Sequence, residues 1–394
     1  MKPCALIILD GWGIAPPGPG NAISKISSHF IKEYEAMYPH TELLAAGESV
    51  GLPQNEAGNS ETGHINIGAG RIIEQDLTRI NRSITDGSFE NNASFLDAIT
   101  HAQTNHTNIH IMGLLSDEGV HASAGHLLAL LNLMEKHGVE KLVYLHLFTD
   151  GRDSLPKSAY SIYTDLEHSF SDLRKFTVSS VMGRYYGMDR DKRWERTEKA
   201  YKTLTDKSSY TAVSMKEAIE LAYNRLETDE FIEPTAIVDE NGNIYPRIQN
   251  KDSVIFFNYR IDRTRQITKF LIDKLPDLFF VTMTEYEAAV PCHVAYAPIS
   301  VIPTLGSVIE EANLQQLHAA ESEKERFVTY YFNGMKEEPF EHEERIIVPS
   351  PKVATYDKTP PMSAVSLTDS VIDAIQANTY DFIVMNYANP DMVG

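Results

Sequence analysis

The sequence predicts an α/β fold. Three features carry that expectation. Short apolar runs recur along the chain, segments of helical periodicity lie between many of them, and polar or charged residues follow the runs directly. Alternating strand and helix implies largely parallel sheets. Ligand sites on such sheets form at the carboxyl ends of the strands. With 394 residues the chain is long for one domain, so two are expected.

Apolar runs at 5–9, 109–115, 142–148, 178–182, 254–257, 279–283, 346–348 and 382–385 read as buried strands, each short and bounded by turn-forming or polar residues. Helical patterns occupy 122–136, 158–173, 197–205, 214–226, 262–273 and 363–377. The charge-rich segment 336–344 reads as a solvated loop, and 291–303, with three prolines, reads as a linker. A second boundary is expected within 72–83. Asp10, Asp117, Asp150 to Asp153, Arg184, Arg260 and Asp391 all lie just after predicted strands.

Composition narrows the function. A formal net charge of -20 argues against nucleic acid and against an anionic membrane surface as partners. An anionic small molecule remains possible where arginines or metals collect locally. Cys4 and Cys292 are the only cysteines, which argues against a disulfide framework and fits a reducing cytoplasm. The N-terminal apolar run stops at Asp10, too short for the core of a signal peptide. No apolar stretch is long enough to span a bilayer.

Ser60 stands in Gly58-Asn-Ser-Glu-Thr-Gly-His64, among small and polar residues, and reads as an exposed loop hydroxyl. A serine nucleophile needs a base, a lowered pKa or a metal. Asp10, in Asp-Gly-Trp-Gly at a strand tip, is a natural metal ligand, so the working reading is a metal-activated serine in which Ser60 and Asp10 share a cation. His64 is close in sequence to Ser60, but sequence neighbours rarely form a serine–histidine dyad. Arginines gather in Asp150-Gly-Arg152-Asp153, in Gly183-Arg184-Tyr-Tyr-Gly-Met-Asp-Arg190, and in Asn258-Tyr-Arg260-Ile-Asp-Arg263. Guanidinium groups suit bidentate recognition of phosphate and carboxylate. Their number points to a small substrate with more than one negative charge. His121 and His126 flank a helix start, one as a substrate contact and the other as a packing or capping residue. The run Glu321 to Arg326 reads as a charged helix start, whose Lys324 could also neutralise a phosphate.

Taken in order, Asp10-Gly-Trp-Gly, Gly58-Asn-Ser-Glu-Thr-Gly-His, Thr149-Asp-Gly-Arg-Asp153, Gly183-Arg-Tyr-Tyr-Gly-Met-Asp-Arg190, Asn258-Tyr-Arg-Ile-Asp-Arg263 and Asn386-Tyr-Ala-Asn-Pro-Asp391 closely resemble the motifs of the cofactor-independent (2,3-bisphosphoglycerate-independent) phosphoglycerate mutases. The resemblance runs the length of the chain. It implies an alkaline-phosphatase-like fold of two α/β domains. Residues 1–75 and 298–394 would form a split phosphatase, metal-binding domain, and 76–297 an inserted phosphotransferase, substrate-binding domain. It implies interconversion of 3-phosphoglycerate and 2-phosphoglycerate in glycolysis and gluconeogenesis, through a phosphoserine, with two manganese ions and no 2,3-bisphosphoglycerate. It implies a cytoplasmic monomer, and domain closure that guards the phosphoserine against water.

Position by position, the resemblance makes Ser60 the nucleophile and a metal ligand, Asp10 a ligand of the same metal, and Asp391 a ligand of the other. It assigns substrate binding to His121, Arg152, Asp153, Arg184, Arg190, Arg260 and Arg263, with Asp153 also relaying protons as a catalytic group. Lys324 matches a lysine between the domains that contacts the transferring phosphate. The family pattern continues past Asp391 with Met-Val-Gly-His and further metal-ligating histidines, and the present sequence stops at Gly394. The expectation is that residues 1–394 alone have little or no mutase activity. The alternatives are a phosphoglycerate-binding fragment without catalysis and a related metal-dependent phosphatase. Smaller departures are Met335 where glycine is usual, Phe327 where histidine is common, and His293 where proline is common.

Overall fold

A computed structural model describes residues 3–25, 29–170, 173 and 175–393. The chain divides into two compact units, Met1–Thr78 with Ile299–Gly394, and Arg79–Pro298. The first division point falls inside the helix Asp76–Thr85. The described strands are β1 (Cys4–Leu9), β2 (Ile109–Leu115), β3 (Val143–Thr149), β4 (Phe176–Gly183), β5 (Tyr210–Ala212), β6 (Thr235–Ile237), β7 (Ser253–Phe256), β8 (Phe279–Thr284), β9 (His293–Tyr296), β10 (Gln316–Glu321), β11 (Glu343–Val348) and β12 (Phe382–Tyr387). No helix among the described residues is long and apolar enough to cross a membrane.

The first unit holds a parallel four-stranded sheet in the order β1-β12-β10-β11. Side chains alternate across its faces, as the two-residue period of a strand requires. Leu317, Ala319, Ile383 and Met385 pack with Leu367, Val371 and Ala374 of the helix Ala364–Ala377. On the other face, Ala320, Phe382 and Val384 pack with Ile309, Val328 and Phe332. Strand β10 falls outside the runs that apolar content predicts. Its sequence Gln-Leu-His-Ala-Ala-Glu has one large apolar residue, yet all six positions are buried. Tertiary partners make that tolerable. His318 shares hydrogen bonds with the Val328 carbonyl (2.6 Å) and Gln316 Oε1 (3.1 Å), and Gln316 Nε2 donates to the Gly306 carbonyl (3.0 Å).

The second unit is an eight-stranded sheet, β5-β6-β4-β3-β2-β7-β8-β9, parallel throughout except for β6 against β4. From β2 the order runs outward through β3 and β4 on one side and through β7 and β8 on the other. The reversal falls between β2 and β7, and such a switch point opens a crevice at the carboxyl ends of the strands. Strands β2 and β3 are buried along their whole length. Their two histidines are paired inside the sheet. His110 bonds His146 (3.0 Å) and Asp252 (3.2 Å), and His146 bonds Ser180 Oγ (2.7 Å).

Several expected boundaries shift. The proposed linker 291–303 contains β9, which pairs with β8 at the sheet edge. The helix expected at 262–273 is Arg265–Lys274, because the segment before it turns at the end of β7. The helix expected at 158–173 is Ala159–Ser169, and the one at 122–136 starts at Ala124, behind a Ser123 cap. Ser60 is not in a loop. It opens the helix Ser60–Ala69, capped by the Asn59 side chain accepting from the Thr62 N–H at 2.8 Å.

That helix carries two glycines of opposite meaning. A Cβ on Gly68 would lie 2.0 Å from the Phe332 carbonyl oxygen, whereas a Cβ on Gly63 meets nothing within 4 Å. Backbone oxygen cannot swing aside, so Gly68 sets how closely the Ser60 helix seats. Gly68→Ala is expected to destabilise by about 1–3 kcal/mol through overpacking. Gly63→Ala is expected to stabilise by about 1 kcal/mol through helix propensity. Urea unfolding of the two variants checks the opposite signs.

Candidate active-site residues

In the first unit, three neighbouring parallel strands deliver charge to their carboxyl ends. Asp10 follows β1, Asp391 lies in the short helix Asn389–Met392 after β12, and Lys324 lies in a single 3₁₀ turn after β10. The expected charged helix start at 321–326 is found at the end of β10, where the 3₁₀ turn Ser322–Lys324 runs through Glu325 and Arg326 into the helical segment Phe327–Tyr331. Gly11 takes φ +76°, and a Cβ there would sit 2.7 Å from Asp391 Cα, so the turn after Asp10 is pressed against Asp391. Ser60 comes from the helix terminus, where free N–H groups favour anions.

These four side chains converge. Ser60 Oγ donates to Asp10 Oδ1 at 2.8 Å. The Lys324 ammonium lies 2.9 Å from Asp10 Oδ2, donates to Ser60 Oγ at 3.3 Å, and pairs with Asp391. Lys324 is 3% exposed and also lies 4.6 Å from the Phe327 ring centroid. Asn386 Nδ2 donates to Asp10 Oδ2 at 3.1 Å. Burial alone would raise the Asp10 pKa. The hydrogen bonds from Lys324 and Ser60 and the lysine charge outweigh it and hold the carboxyl below its ordinary value. His64 does not reach the serine hydroxyl. Its Nδ1 bonds the Ser60 carbonyl (2.7 Å) and its Nε2 faces Asn386 (3.0 Å), so it braces the backbone of the serine. Burial lowers its pKa.

The second cluster lies wholly in the second unit, at the ends of β2, β3, β4 and β7. Arg184 is 2% exposed. Its Nη1 donates to Asp150 Oδ1 and Asp153 Oδ2, both at 2.6 Å, and its Nη2 faces His121 Nε2 at 2.9 Å. Arg190 and Arg260 share Asp262, at 2.6 and 3.1 Å, and Arg152 reaches Glu230 at 3.5 Å. Arg263 Nη1 donates to the Met188 carbonyl at 3.3 Å. Burial, and then the positive charges of Arg184, Arg190 and Arg152, push the Arg263 pKa down, which reports that four guanidinium groups crowd one region. Burial and the Arg184 charge push His121 down to about 4, so its ring is neutral near pH 7 and can accept from Arg184.

His126 stands apart from this cluster. It hydrogen-bonds Asn81 Oδ1 (2.8 Å) and packs edge-on against Tyr259, with ring centroids 5.6 Å apart. Sequence reasoning gave no role to Asp262, the carboxylate that joins Arg190 to Arg260. Its place between Arg260 and Arg263 in one motif was the available signal. Asp10, Ser60, Lys324 and Asp391 form one set and His121, Arg152, Asp153, Arg184, Arg190, Arg260 and Arg263 another, each within its own unit.

Asp10, Ser60 and Asp391 were expected to serve two metal ions. They offer three oxygen-bearing side chains around one point, and the Lys324 ammonium already holds it. No group of three or more His, Cys, Asp or Glu among the described residues could hold a metal ion. A divalent ion at that point would face an ammonium, so the arrangement does not fit the implied pair of manganese ions.

Lys324→Met leaves a buried carboxylate at Asp10 without its counter-charge. The expected cost is about 3–5 kcal/mol, read from urea unfolding at neutral pH. Because the folded Asp10 pKa is depressed, the stability it contributes is present above the unfolded carboxyl range and is lost as pH falls through the lower folded value. His121 has the same sign for a different reason. Its unfolded form binds a proton near pH 6.5 and its folded form near 4, so its contribution is full above that window and shrinks as pH falls across it. An NMR titration of His121 is expected to show a midpoint near 4, and one near 6.5 would contradict the burial and the Arg184 contact.

Residues 80–288 match the family model described as BPG-independent PGAM N-terminus. The chain is 47% identical over 423 residues to the 2,3-bisphosphoglycerate-independent phosphoglycerate mutase of Chloroflexus aggregans, covering 100% of this chain and 78% of that protein. Proteins of the same name from Moorella thermoacetica and Clostridium novyi are 47% and 48% identical, again over 100% of this chain and 78% of theirs. Among solved structures, Leishmania mexicana phosphoglycerate mutase at low cobalt concentration is similar with a TM-score of 0.60 and 26% identity, over 100% of this chain and 75% of that one. With identity of this level along the whole sequence, and a two-unit α/β fold shared with a solved mutase, the chain belongs to the 2,3-bisphosphoglycerate-independent phosphoglycerate mutase family.

Proposed function

We propose that the protein interconverts 3-phosphoglycerate and 2-phosphoglycerate, with Ser60 carrying the phosphoryl group between the two hydroxyls. The observation that carries this reading is the gathering of Arg152, Arg184, Arg190, Arg260 and Arg263 at neighbouring strand ends, held there by Asp150, Asp153, Asp262, Glu230 and the Met188 carbonyl. Guanidinium groups repel one another, and a ligand with both a carboxylate and a phosphate relieves that repulsion at more than one place. On this reading the second unit is the phosphotransferase domain. His121, Arg152, Arg184, Arg190, Arg260 and Arg263 bind the phosphoglycerate, and Asp153 passes the proton between the glycerate hydroxyls.

The first unit is then the phosphatase domain. Ser60 Oγ bonds to phosphorus as the P–O bond to glycerate breaks, the serine proton passing in net to the departing glycerate oxygen, while Asp10 orients the hydroxyl through the 2.8 Å hydrogen bond and Lys324 offsets charge on the serine and phosphoryl oxygens. The depressed Asp10 pKa suits an orienting acceptor better than a strong base. Two manganese ions, with Asp10, Ser60 and Asp391 among their ligands, belong to the family reading. The described donor set surrounds the Lys324 ammonium instead. Turnover by residues 1–394 alone is accordingly expected to be small. The same reading makes the protein a cytoplasmic, monomeric enzyme of glycolysis and gluconeogenesis that needs no 2,3-bisphosphoglycerate.

Calorimetric titration of residues 1–394 with 3-phosphoglycerate tests the binding half. Arg260→Ala is expected to weaken binding by about tenfold to a hundredfold, the value of a charge-assisted hydrogen bond. Equal affinity in the two proteins would remove the arginines from the site. Mass spectrometry after incubation with phosphoglycerate tests the transfer half. Any phosphoryl adduct is expected on the peptide holding Ser60 and is expected to vanish in Ser60→Ala. An adduct that survives that substitution assigns the nucleophile elsewhere.

A further inference from the structure

Besides pairing with Arg184, the Asp150 carboxylate binds the segments that follow two neighbouring strands. Oδ1 accepts from Arg184 Nη1 (2.6 Å), from the Arg152 N–H (3.2 Å) and from the Asp153 N–H (3.1 Å), while Oδ2 accepts from Ser116 Oγ (2.7 Å). Ser116 follows β2, Asp150 follows β3 and Arg184 follows β4, three adjacent strands on one side of the switch point. The turn between Asp150 and Asp153 is tight. Gly151 takes φ +66°, and a Cβ there would lie 2.7 Å from the Glu230 amide nitrogen.

Asp150 is 1% exposed. A buried carboxylate ringed by donors within its own unit is a poor direct ligand for an anionic phosphoglycerate, which it would repel. Its effect on a ligand must pass through the groups it holds. Those groups are Arg184, whose other nitrogen faces His121, and the backbone that aims Arg152 and Asp153. Asp153 also binds Arg184, but its side chain is 26% exposed and Asp150's is 1%. The two carboxylates therefore differ in kind. One is a fixed counter-charge, and the other can exchange Arg184 for a ligand.

We propose that Asp150 is a positioning residue, the permanent counter-ion that holds Arg184 against His121 and sets the Arg152–Asp153 turn, so that Asp153 can leave Arg184 to engage substrate. This rests on the reading of the arginine cluster as the phosphoglycerate site. With Asp150 in place, a ligand that draws on Arg184 leaves the guanidinium paired and buried. Without its charge, Arg184 has Asp153 as its remaining carboxylate, and the pair closes on itself.

Asp150→Asn tests this with the hydrogen-bonding shape retained and the charge removed, and Ser116→Ala removes only the strut on Oδ2. In calorimetry on the whole chain, Asp150→Asn is expected to weaken 3-phosphoglycerate binding by about tenfold, Ser116→Ala less, and Asp150→Glu is expected not to restore it, because a longer side chain misplaces Arg184. The second readout needs no ligand. Arg184, Arg260, Asp153 and Asp262 all face His121, and in Asp150→Asn the His121 NMR titration is expected to move away from the value near 4 as Arg184 shifts toward Asp153. An unchanged His121 titration together with unchanged binding overturns the proposal. Loss of binding with an unmoved His121 also overturns it, since Arg184 would then not have been displaced. If Arg260→Ala binds like the parent protein, the substrate reading fails, and the His121 titration still judges the positioning of Arg184 by itself.

Discussion

A buried cation is stable in this fold where carboxylates take its hydrogens, and each unit is organised around one such pairing. In the first unit the cation is the Lys324 ammonium, shared by Asp10, Asp391 and Ser60. In the second it is the Arg184 guanidinium, shared by Asp150, Asp153 and His121. Removing a charge from water costs several kcal/mol, and at these two points close opposite charge with hydrogen bonds offsets it. Parallel strands make the arrangement possible. They end side by side, so residues far apart in sequence arrive at one edge with their side chains pointing the same way. Asp10, Asp391 and Lys324 meet because β1, β12 and β10 are neighbours. Ser116, Asp150 and Arg184 meet because β2, β3 and β4 are neighbours.

Much of this was legible in the sequence, and the illegible parts have physical reasons. Strand β2 was readable to the residue because it is buried on both faces and, His110 apart, is apolar. Strand β10 was not readable. Its glutamine and histidine are satisfied by Gly306 and Val328, partners that only the folded chain supplies. The Ser60 helix was hidden by Gly63 and Gly68, which lower helix propensity. Gly68 is demanded by the carbonyl of Phe332, a contact invisible in local sequence.

The two clusters were legible in a similar way. Arginines at strand ends announced themselves, because a charge just after an apolar run has few structural reasons to be there. Asp150 and Asp153 stood out in the same way, whereas Asp262 did not, because an aspartate in a turn is commonplace. Asp262 reads as part of a motif, and its role as the bridge between Arg190 and Arg260 appears only once β7 and β4 are placed in one sheet. Lys324 was readable as a possible phosphate contact. That it fills the point between Ser60, Asp10 and Asp391 could not be inferred, since those four residues lie on separate segments of the chain.

The carboxylates around the arginines also explain how an acidic protein can attract an acidic ligand. With a net charge of -20 the chain repels anions at long range. Attraction has to be local, and it has to be held in reserve without leaving cations bare. Asp262 answers that need. It is 30% exposed on its side chain, and it pairs with Arg190 and Arg260, whose side chains are 45% and 52% exposed. Pairs this close to water are weak and are readily exchanged for a better-matched anion. Asp150, buried beside Arg184, is not exchangeable in this sense. The cluster thus contains two grades of counter-charge. On the proposed reading, the buried grade keeps the arginines in place, and the half-exposed grade would yield them to a phosphate or carboxylate that offers more oxygens than a single aspartate.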